Sequence, residues 1–300
     1  MVHAKHHDEL QALIQQESRN SAKWLADNRL CVASKKSKLL VIGTKKQKNT
    51  VINRNISINI NNMTINETNS EKLLGIVVNN ELTRKNPLYG DEHLQGLIRQ
   101  LPKRLGVLKM LSSKMSKDRL KEFAQGIFYS KLNYCLPVFG HVFGLENYKE
   151  TNSRYTSFTI RDNHKLQVLQ NSLNRLLTGS SSRTPTVELL KKTNSLSIQQ
   201  LIAHQTLMLS YKVVKFGKPQ YISNRFNRMI GRRELRGKDY KFHLPRASLS
   251  IVGEGFIDWG IRLMNMLDSN LRMEQSTEQF RAKSRKWVAT NIKAKPSRTK

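Results

Sequence analysis

The spacing of apolar residues in the first part of the chain predicts one helix followed by a hairpin. Between residues 8 and 28, apolar side chains return every three or four positions, which is the period of an amphipathic helix. Two short apolar runs follow at 30–33 and 39–43, and a basic segment, SKKSK, separates them. Apolar runs on either side of a polar turn predict a β-hairpin.

Alternation of apolar and polar residues then indicates a second group of strands. The isoleucines of 56–60 fall on one face of an extended chain, as a half-buried strand requires. Residues 63–65 are predicted to pair with this strand across a turn of two asparagines. The apolar segment 72–80 predicts another short strand that is broken at Gly75. The front of the chain is therefore predicted to be a helix packed on a small sheet.

Beyond residue 87 the apolar spacing becomes helical. Stripes at 94–108 and at 120–132 predict two packed helices. A third helix is predicted from residue 166 to a stop at Gly179, and a fourth at 197–216, before a glycine and a proline. This part of the chain is therefore predicted to be mostly helical.

The remaining segments have weaker patterns. Residues 155–165 lack a sustained period and are predicted as a loop. Segment 218–246 holds nine basic residues against two acidic ones, with few apolar anchors, which predicts an extended basic arm. A last helix is predicted at 277–292, with cations around Phe280 and Trp287, and a basic tail follows it.

Charge points to a polyanionic partner. Fifty-two Lys and Arg residues against 22 Asp and Glu leave a formal net charge of +30 in 300 residues. A protein so basic repels itself, and phosphates relieve that repulsion when they release the counterions of a nucleic acid. A lipid surface is the weaker alternative, because no stretch approaches the roughly 18 apolar residues of a spanning helix.

The sequence also gives expectations for the compartment of the protein and for the redox state of its two cysteines. The polar start of the chain has no signal-peptide core, so we expect an intracellular protein, nuclear or cytoplasmic, with no membrane partner. Cys31 and Cys135 can form at most one bridge, and we expect two buried, reduced thiols.

Four stretches, in this order, carry a resemblance to one enzyme family. They are 24–43, 72–83 (KLLGIVVNNELT), 93–111 and 127–140 (IFYSKLNYCLPVFG). Together they resemble the region after the catalytic strand in reverse transcriptases of non-LTR retrotransposons, the LINE-type elements related to jockey. The resemblance continues through the predicted helices up to residue 222 and becomes loose beyond residue 243.

The resemblance implies an α+β fold built from parts of a polymerase. Residues 1–86 would be the end of the palm with its primer-grip hairpin, and 87–217 a helical, thumb-like region. Residues 218–246 would form the basic arm, and 247–300 a basic helical segment and tail. A palm truncated in this way is expected to expose a sheet edge and apolar surface.

The same resemblance limits the expected chemistry. In this family a YxDD strand lies just upstream and, with a further aspartate, binds two metal ions. No two aspartates are adjacent in this chain. We therefore expect no polymerase activity from the chain alone and no cofactor of its own, with Mg²⁺ needed only by a full-length parent.

The predicted function is sequence-independent binding of an RNA template or RNA–DNA duplex. An upstream half with the palm and fingers is a further expected partner. The alternative is a non-functional remnant that folds or acts only together with that half. Autonomous polymerisation is a third hypothesis, and we expect none.

Two short segments of the front part are candidate nucleic-acid contacts. Lys36 and Lys38 lie in the basic turn, which matches a family lysine near the active site, although a solvated turn explains them as well. Leu74 and Gly75 match the primer-grip turn, where glycine lets backbone approach the primer closely. A β-bulge or strand end is the alternative for this pair.

Helical cations are the other candidates. Lys103, Arg104 and Lys109 lie on the polar side of the 94–108 stripe, where they would contact phosphates without reading sequence. Arg285 and Lys286 belong to the basic ridge of the last helix. A solvated helix face is the alternative for the first three.

Other chemistry is weaker. His3, His6 and His7 have spacing that can share a metal ion, yet they lie at a terminus without further ligands. Phe128 and Tyr134 are aromatic residues in a strongly apolar stretch, so we predict core packing rather than base stacking.

Overall fold

The chain divides into two compact units in the computed structural model, Met1–His93 and Leu94–Lys300. The structure describes residues 4, 6–33, 36–43, 56–60, 63–80, 91–140, 160–227, 241–244 and 256–292. This described part is mostly helical and contains two small antiparallel sheets of two strands each. The prediction of an α+β chain is confirmed at that general level.

The first unit contains one long helix and two hairpins. Its described elements are α1 (His7–Asp27), β1 (Ser57–Ile60), β2 (Met63–Asn66), β3 (Ser70–Leu73) and β4 (Ile76–Asn79). β1 pairs with β2 in a register that places Ile58 opposite Ile65, and both side chains are buried. The predicted helix and strand pair are confirmed, whereas the asparagine turn lies outside the described residues.

Side chains of α1 cover the edge of β1 that β2 leaves open. The Gln11 amide donates to the carbonyl oxygen of Ser57 (2.5 Å). The Gln15 amide donates to the carbonyl of Asn59 (2.7 Å) and accepts from its backbone N–H (3.0 Å). A side-chain amide thus takes the place of a neighbouring strand, and the expected open edge is partly covered.

The expected apolar surface of the first unit is present. No residue of α1 is buried, and Trp24 is 62% exposed. The amphipathic stripe of α1 therefore covers the sheet only in part: Ile14 packs against the buried isoleucines of the first hairpin, whereas Leu25 is half-buried and Leu30, just beyond the helix, is exposed. Cys31 is also exposed, so the expectation of a buried thiol is wrong at this position.

The hairpin predicted for 30–43 does not form among the described residues. Leu39 instead makes an isolated parallel bridge with Glu67, and its carbonyl accepts from the N–H of Thr68 (2.8 Å). The N–H of Gly43 donates to Asn80 (3.2 Å). The second apolar run therefore makes its backbone hydrogen bonds with residues that follow β2 and not with the first run.

The segment predicted as one broken strand is a complete hairpin. β3 and β4 pair in antiparallel fashion, and Leu74 and Gly75 form the two-residue turn between them. Both turn residues have positive φ, +48° and +85°. Tight hairpin turns of the primed type need this conformation, which glycine adopts freely and leucine at a cost of about 1–2 kcal/mol.

The described part of the second unit is helical. Its elements are α2 (Asp91–Leu111), α3 (Lys117–Ala124), a π turn (Gln125–Tyr129), α4 (Ser130–Asn133), α5 (Leu136–Phe139), α6 (Ile160–Thr178), α7 (Thr186–Thr193), α8 (Ile198–Phe216), α9 (Gln220–Ser223), α10 (Phe256–Met266), α11 (Ser269–Arg272) and α12 (Thr277–Asn291). The predicted helices at 94–108, 166–177, 197–216 and 277–292 are confirmed.

α8 is the central helix of this unit. It contacts α5, α6, α9, α10 and α12, so most of its residues are buried. It begins with a capping box between Ser197 and Gln200 and ends at Gly217 in the left-handed conformation. These start and stop signals match the ends that the sequence predicts.

The π turn changes the apolar row predicted at 120–132. Leu120, Ala124, Phe128 and Leu132 form the buried row, in steps of four, whereas Phe123 is exposed. The π turn lies at Gln125–Tyr129, so it affects only the positions after Ala124. Phe123 lies before it in α3, on the side of the helix that the predicted row wrongly assigns to the core. Phe128 is buried as predicted.

Three further sequence-based expectations need correction. α6 starts at Ile160, so the loop predicted at 155–165 is wrong for its second half. Tyr134 was predicted in the core and is exposed. The basic arm at 218–246 has apolar anchors, because Phe226 and Phe242 are buried and meet edge to face at 5.8 Å. Residues 228–240 and 245–246 of that arm lie outside the described part.

The contact between α8 and α10 depends on the absence of a side chain at Gly260. A Cβ atom at this position would collide with the buried Oγ of Ser210 and lie 3.2 Å from the ring of Phe226. We expect Gly260→Ala to lower the free energy of unfolding by about 1–3 kcal/mol, the usual cost of overpacking. Thermal unfolding monitored by circular dichroism measures it.

A double variant separates the collision from the change in helix propensity. Ser210→Ala removes the oxygen that the new methyl group would meet, so the double variant should recover most of the lost stability. A double variant as unstable as Gly260→Ala alone would show that the collision with Ser210 is not the cause.

Candidate nucleic-acid interface

A cleft of about 390 Å³ opens in the second unit. One wall is the run of α3, the π turn and α4, and the others come from α6, α8, α12 and the loop between α7 and α8. Its lining includes the cations Lys121, Lys212, Arg281 and Arg285. In the described part of the chain, none of the residues that line this cleft is acidic.

The first wall presents a row of side chains spaced four residues apart. They are Lys121, Gln125, Tyr129 and Asn133. In an unbroken α-helix, four residues advance by about 400°, so such a row drifts by about 40° per step. The i→i+5 turn at Gln125–Tyr129 reduces the advance per residue and therefore the drift. The π turn thus keeps a cation, two amides and a phenol on one face.

The second wall is one row of α8. Leu201, His204, Gln205, Met208 and Lys212 line the cleft at helical spacing. The row begins with buried side chains and ends with an exposed lysine. The rest of α8 is fixed by its neighbouring helices, so this row has a defined position.

The third wall places two arginines one turn apart on α12. Phe280, Ser284 and Val288 form the buried row that docks this helix, and the Phe280 ring stacks on Tyr211 at 4.0 Å. Arg281 and Arg285 each follow a buried residue by one position, which turns them toward the cleft. The docking of α12 therefore sets the position of both cations.

The α7–α8 loop is fastened to the cleft by hydrogen bonds. Asn194 ends α7 in the left-handed conformation, and its carbonyl accepts a 2.6 Å bond from the Arg285 guanidinium. Next to it, the hydroxyls of Thr193 and Ser195 are 2.5 Å apart. Arg285 thus has a structural bond as well as a place in the lining.

A buried network of side-chain amides supports the floor of the cleft, by which we mean its buried lining residues. The Gln170 amide donates to the carbonyl of Leu196 (2.8 Å) and to the Tyr129 hydroxyl (3.4 Å). The Asn174 amide donates to the Ser195 hydroxyl (3.4 Å). Burial raises the pKa of the Tyr129 phenol, and hydrogen bonds from Gln170 and Ser195 oppose this shift. The phenol is therefore neutral, and the floor carries no negative charge from it.

The sign of the charge in this cleft favours anions. Lys121, Lys212 and Arg281 are exposed, and Arg285 is half-buried. Cations gathered in a concave surface without carboxylates focus a positive potential that attracts polyanions. Phosphate oxygens are the acceptors that such side chains bind in nucleic acids.

His204 lies in the same row of α8 and is buried. Burial lowers the pKa of its imidazole, and the charges of Arg285 and Arg281 lower it further, while a hydrogen bond with the Arg281 carbonyl (3.3 Å) opposes them. A carbonyl oxygen only accepts, so Nε2 is the donor in this bond. His204 is therefore neutral at pH 7.

This lowered pKa predicts a loss of stability in mild acid. The unfolded chain, with an imidazole pKa of about 6.5, binds a proton before the folded state does. The contribution of His204 to the free energy of unfolding is therefore full above about pH 6.5 and is lost as the pH falls below it. We expect the thermal midpoint to fall between pH 7 and pH 5 by less in His204→Gln than in the wild type.

The matched control for this comparison is His243→Gln, which changes an exposed histidine of the second unit. It should keep the pH dependence of the wild type. Equal losses in the wild type and in His204→Gln would contradict the assignment.

The structure places the predicted sites of the first unit on its surface. Lys36 and Lys38 are exposed, Leu74 is 83% exposed and Gly75 is half-buried. The lysines lie outside any strand, and Leu74 and Gly75 form the tip of the β3–β4 hairpin. None of these four residues belongs to the lining of the cleft.

The predicted contact residues on helices lie in different surroundings. Lys103 and Lys109 are exposed on α2, whereas the Arg104 guanidinium donates to the carbonyl of Ile127 (2.6 Å) in the π turn. Arg104 therefore has a structural partner. Of the two predicted cations of α12, Arg285 lines the cleft and the exposed Lys286 does not.

Sequence reasoning missed Lys121 and Lys212, and it placed Arg281 only in the basic ridge of the last helix, without linking it to the other two. Lys121, Lys212 and Arg281 come from three helices that are far apart in sequence, and each is an ordinary polar position on its own helix. One signal was available, namely the polar positions His204, Gln205 and Lys212 within the apolar pattern of α8.

Comparisons add no identification. Set against known protein families, curated proteins and solved structures, the chain shows no match. The described residues contain no group of three or more His, Cys, Asp or Glu side chains that could hold a metal ion, so no ligand set for Mg²⁺ is assigned among them. Among the same residues, no helix is both long and apolar enough to cross a bilayer.

Proposed function

We propose that this chain binds nucleic acid through phosphate contacts, with an RNA template or RNA–DNA duplex as its partner. The observation that carries the proposal is the cleft lined by Lys121, Lys212, Arg281 and Arg285 without an acidic residue among its described lining. Contacts between protein cations and the phosphates of a nucleic acid give affinity without reading its base sequence. The net charge of +30 favours the same kind of binding.

The proposal includes a relationship to the reverse transcriptases of LINE-type retrotransposons. Four stretches of sequence support it, from 24–43 to 127–140, and so does the hairpin whose turn is Leu74 and Gly75. On this proposal the chain is part of an RNA-directed DNA polymerase, and it contributes template and primer binding rather than catalysis. Since no two aspartates are adjacent, primer extension by the chain alone with Mg²⁺ is expected to be undetectable.

A titration of the full chain with labelled RNA and with an RNA–DNA duplex tests the binding function. Log affinity should fall linearly with log salt between about 50 and 200 mM, by about 0.9 for each duplex phosphate neutralised and about 0.7 for each single-strand phosphate. Changing the base sequence at constant length should leave the affinity unchanged. Affinity that ignores salt would contradict the electrostatic basis of the proposal.

A second hypothesis is a remnant that folds only with an upstream half, and the exposed Trp24 and Leu74 of the first unit favour it. A thermal melt of the full chain separates the two. A cooperative transition is expected if the chain folds alone. A gradual change without a transition would favour the remnant.

A further inference from the structure

The cleft has a rim and a floor of different chemistry. We define the rim as its exposed lining residues, among them Lys121, Lys212 and Arg281, and the floor as its buried ones. The floor includes the apolar side chains of Leu201 and Met208. A cationic rim over a partly apolar floor differs from a plain phosphate site, which needs only the cations.

A phosphate gains nothing from the apolar part of the floor. Taking a phosphate charge away from water toward Leu201 and Met208 would cost desolvation energy without returning a hydrogen bond. A nucleobase has the opposite character, because its flat faces are apolar and its edge carries hydrogen-bond donors and acceptors. The floor therefore suits a base, and the rim suits the phosphates on either side of that base.

Two amides of the lining are available to the edge of a base. Gln125 is exposed, Gln205 is half-buried, and neither side-chain amide forms a hydrogen bond with another described residue. Gln170 and Asn174, in contrast, are occupied by bonds that hold the floor. Each available amide offers both donors and an acceptor, so together they can satisfy the edge of any base.

The volume of the cleft suits a single nucleotide. A volume of about 390 Å³ lies at the lower end of ligand pockets, which run from about 300 to 1,000 Å³. In a duplex the bases are stacked and their pairing edges are covered, so a duplex can touch only the rim. An unpaired strand can turn a base inward without breaking a pair.

We infer that the cleft takes one unpaired nucleotide of a single strand, with its phosphates on the rim and its base on the floor. The inference rests on the proposed nucleic-acid binding and specifies its ligand. It assigns the amides of Gln125 and Gln205 to the base, and Lys121, Lys212 and Arg281 to the phosphates.

The experiment uses the full chain and fluorescence anisotropy with a short, unstructured, labelled RNA. An RNA–DNA duplex of equal length and free uridine monophosphate serve as competitors. The test variant combines Gln125→Met with Gln205→Met, which keeps side-chain length and removes both amides. The control combines Gln16→Met with Gln220→Met, two exposed glutamines outside the cleft. Thermal melts confirm that both variants fold.

We expect the single strand to outcompete the duplex by about tenfold or more. The test variant should weaken single-strand binding by about tenfold, the size of effect expected for two lost hydrogen bonds. Its duplex affinity and its salt slope should stay unchanged, because the phosphate contacts remain. The control should bind like the wild type.

Three results would overturn the inference. They are equal binding of single strand and duplex, an unchanged single-strand affinity in the test variant, and competition by the free monophosphate as strong as that of the strand. Failure of every nucleic acid to bind in a salt-dependent way is a different result, and it would instead overturn the proposed function.

Discussion

Replacing Lys121, Lys212 and Arg281 with glutamine should weaken binding of single-stranded RNA by about 10- to 100-fold at low salt. Each exposed cation in contact with a phosphate contributes roughly 0.5–1 kcal/mol, and three such contacts are lost together. The slope of log affinity against log salt should become shallower by about 2, since each single-strand phosphate contact contributes about 0.7. Anisotropy titrations at several salt concentrations measure both quantities.

The three replaced side chains are chosen so that the fold survives. All are exposed, and they lie on α3, α8 and α12. Arg285 is kept, because its guanidinium holds the carbonyl of Asn194 and its loss would disturb the α7–α8 loop. A loss of affinity in the triple variant can then be assigned to the cleft.

A control with the same net charge distinguishes the cleft from the overall charge of the protein. Lys114, Arg183 and Lys191 are exposed cations of the second unit outside the cleft lining, and their replacement with glutamine also removes three charges. The control should keep an affinity within a few-fold of the wild type. Equal losses in both triple variants would show that binding depends on total charge and not on this site.

Phe280→Ala should lower the free energy of unfolding of the second unit by about 3–5 kcal/mol. The side chain is fully buried, and its ring stacks on Tyr211 of α8 at 4.0 Å with an interplanar angle of 11°. Removing a buried aromatic ring costs its transfer free energy and leaves a cavity. Chemical denaturation monitored by circular dichroism measures the change.

The same variant links stability to the cleft. Phe280 docks the helix that carries Arg281 and Arg285, so loosening α12 should also weaken RNA binding. Tyr221→Ala is the matched control, because this aromatic side chain is 75% exposed on α9. It should change stability by less than about 0.5 kcal/mol. A Phe280→Ala variant with wild-type stability would contradict the packing of α12 on α8.

Local signals account for the parts of the fold that the sequence predicts well. α8 has a capping box at one end and Gly217 at the other, and both are readable as start and stop signals. α2 shows its buried leucines at helical spacing, and the isoleucines of β1 alternate. In these segments, the periodicity that is visible in the sequence is also the pattern of burial.

The errors arise where burial does not follow apolarity. α6 buries Asn163, Gln167 and other polar side chains, so the start of this helix has no apolar period to detect. The second apolar run of the predicted hairpin, 39–43, was assigned to pair with the first run, whereas its Leu39 bridges to Glu67, a contact that local pattern does not encode. Phe123 lies on the exposed side of α3, although its place in the apolar row of the sequence favours burial.

The site was predictable only in its class. The net charge predicts a polyanionic partner, and the resemblance to reverse transcriptases predicts that this partner is a nucleic acid. Neither locates the cleft, because Lys121, Lys212 and Arg281 are brought together by the packing of three helices. Of the predicted contacts only Arg285 lies in the lining, and Arg104 is engaged with Ile127. Lys36, Lys38, Lys103, Lys109 and Lys286 remain predicted surface contacts.

Photo-crosslinking of an unstructured RNA to the full chain, followed by mass spectrometry of the linked peptides, shows whether the strand lies in this cleft. Crosslinks are expected in the peptides that contain Tyr129, Gln205 and Arg281, one from each of the three main walls of the cleft. These crosslinks should disappear at high salt and in the Lys121, Lys212 and Arg281 triple variant. Crosslinks confined to the first unit, with none in those three peptides, would contradict this placement of the strand.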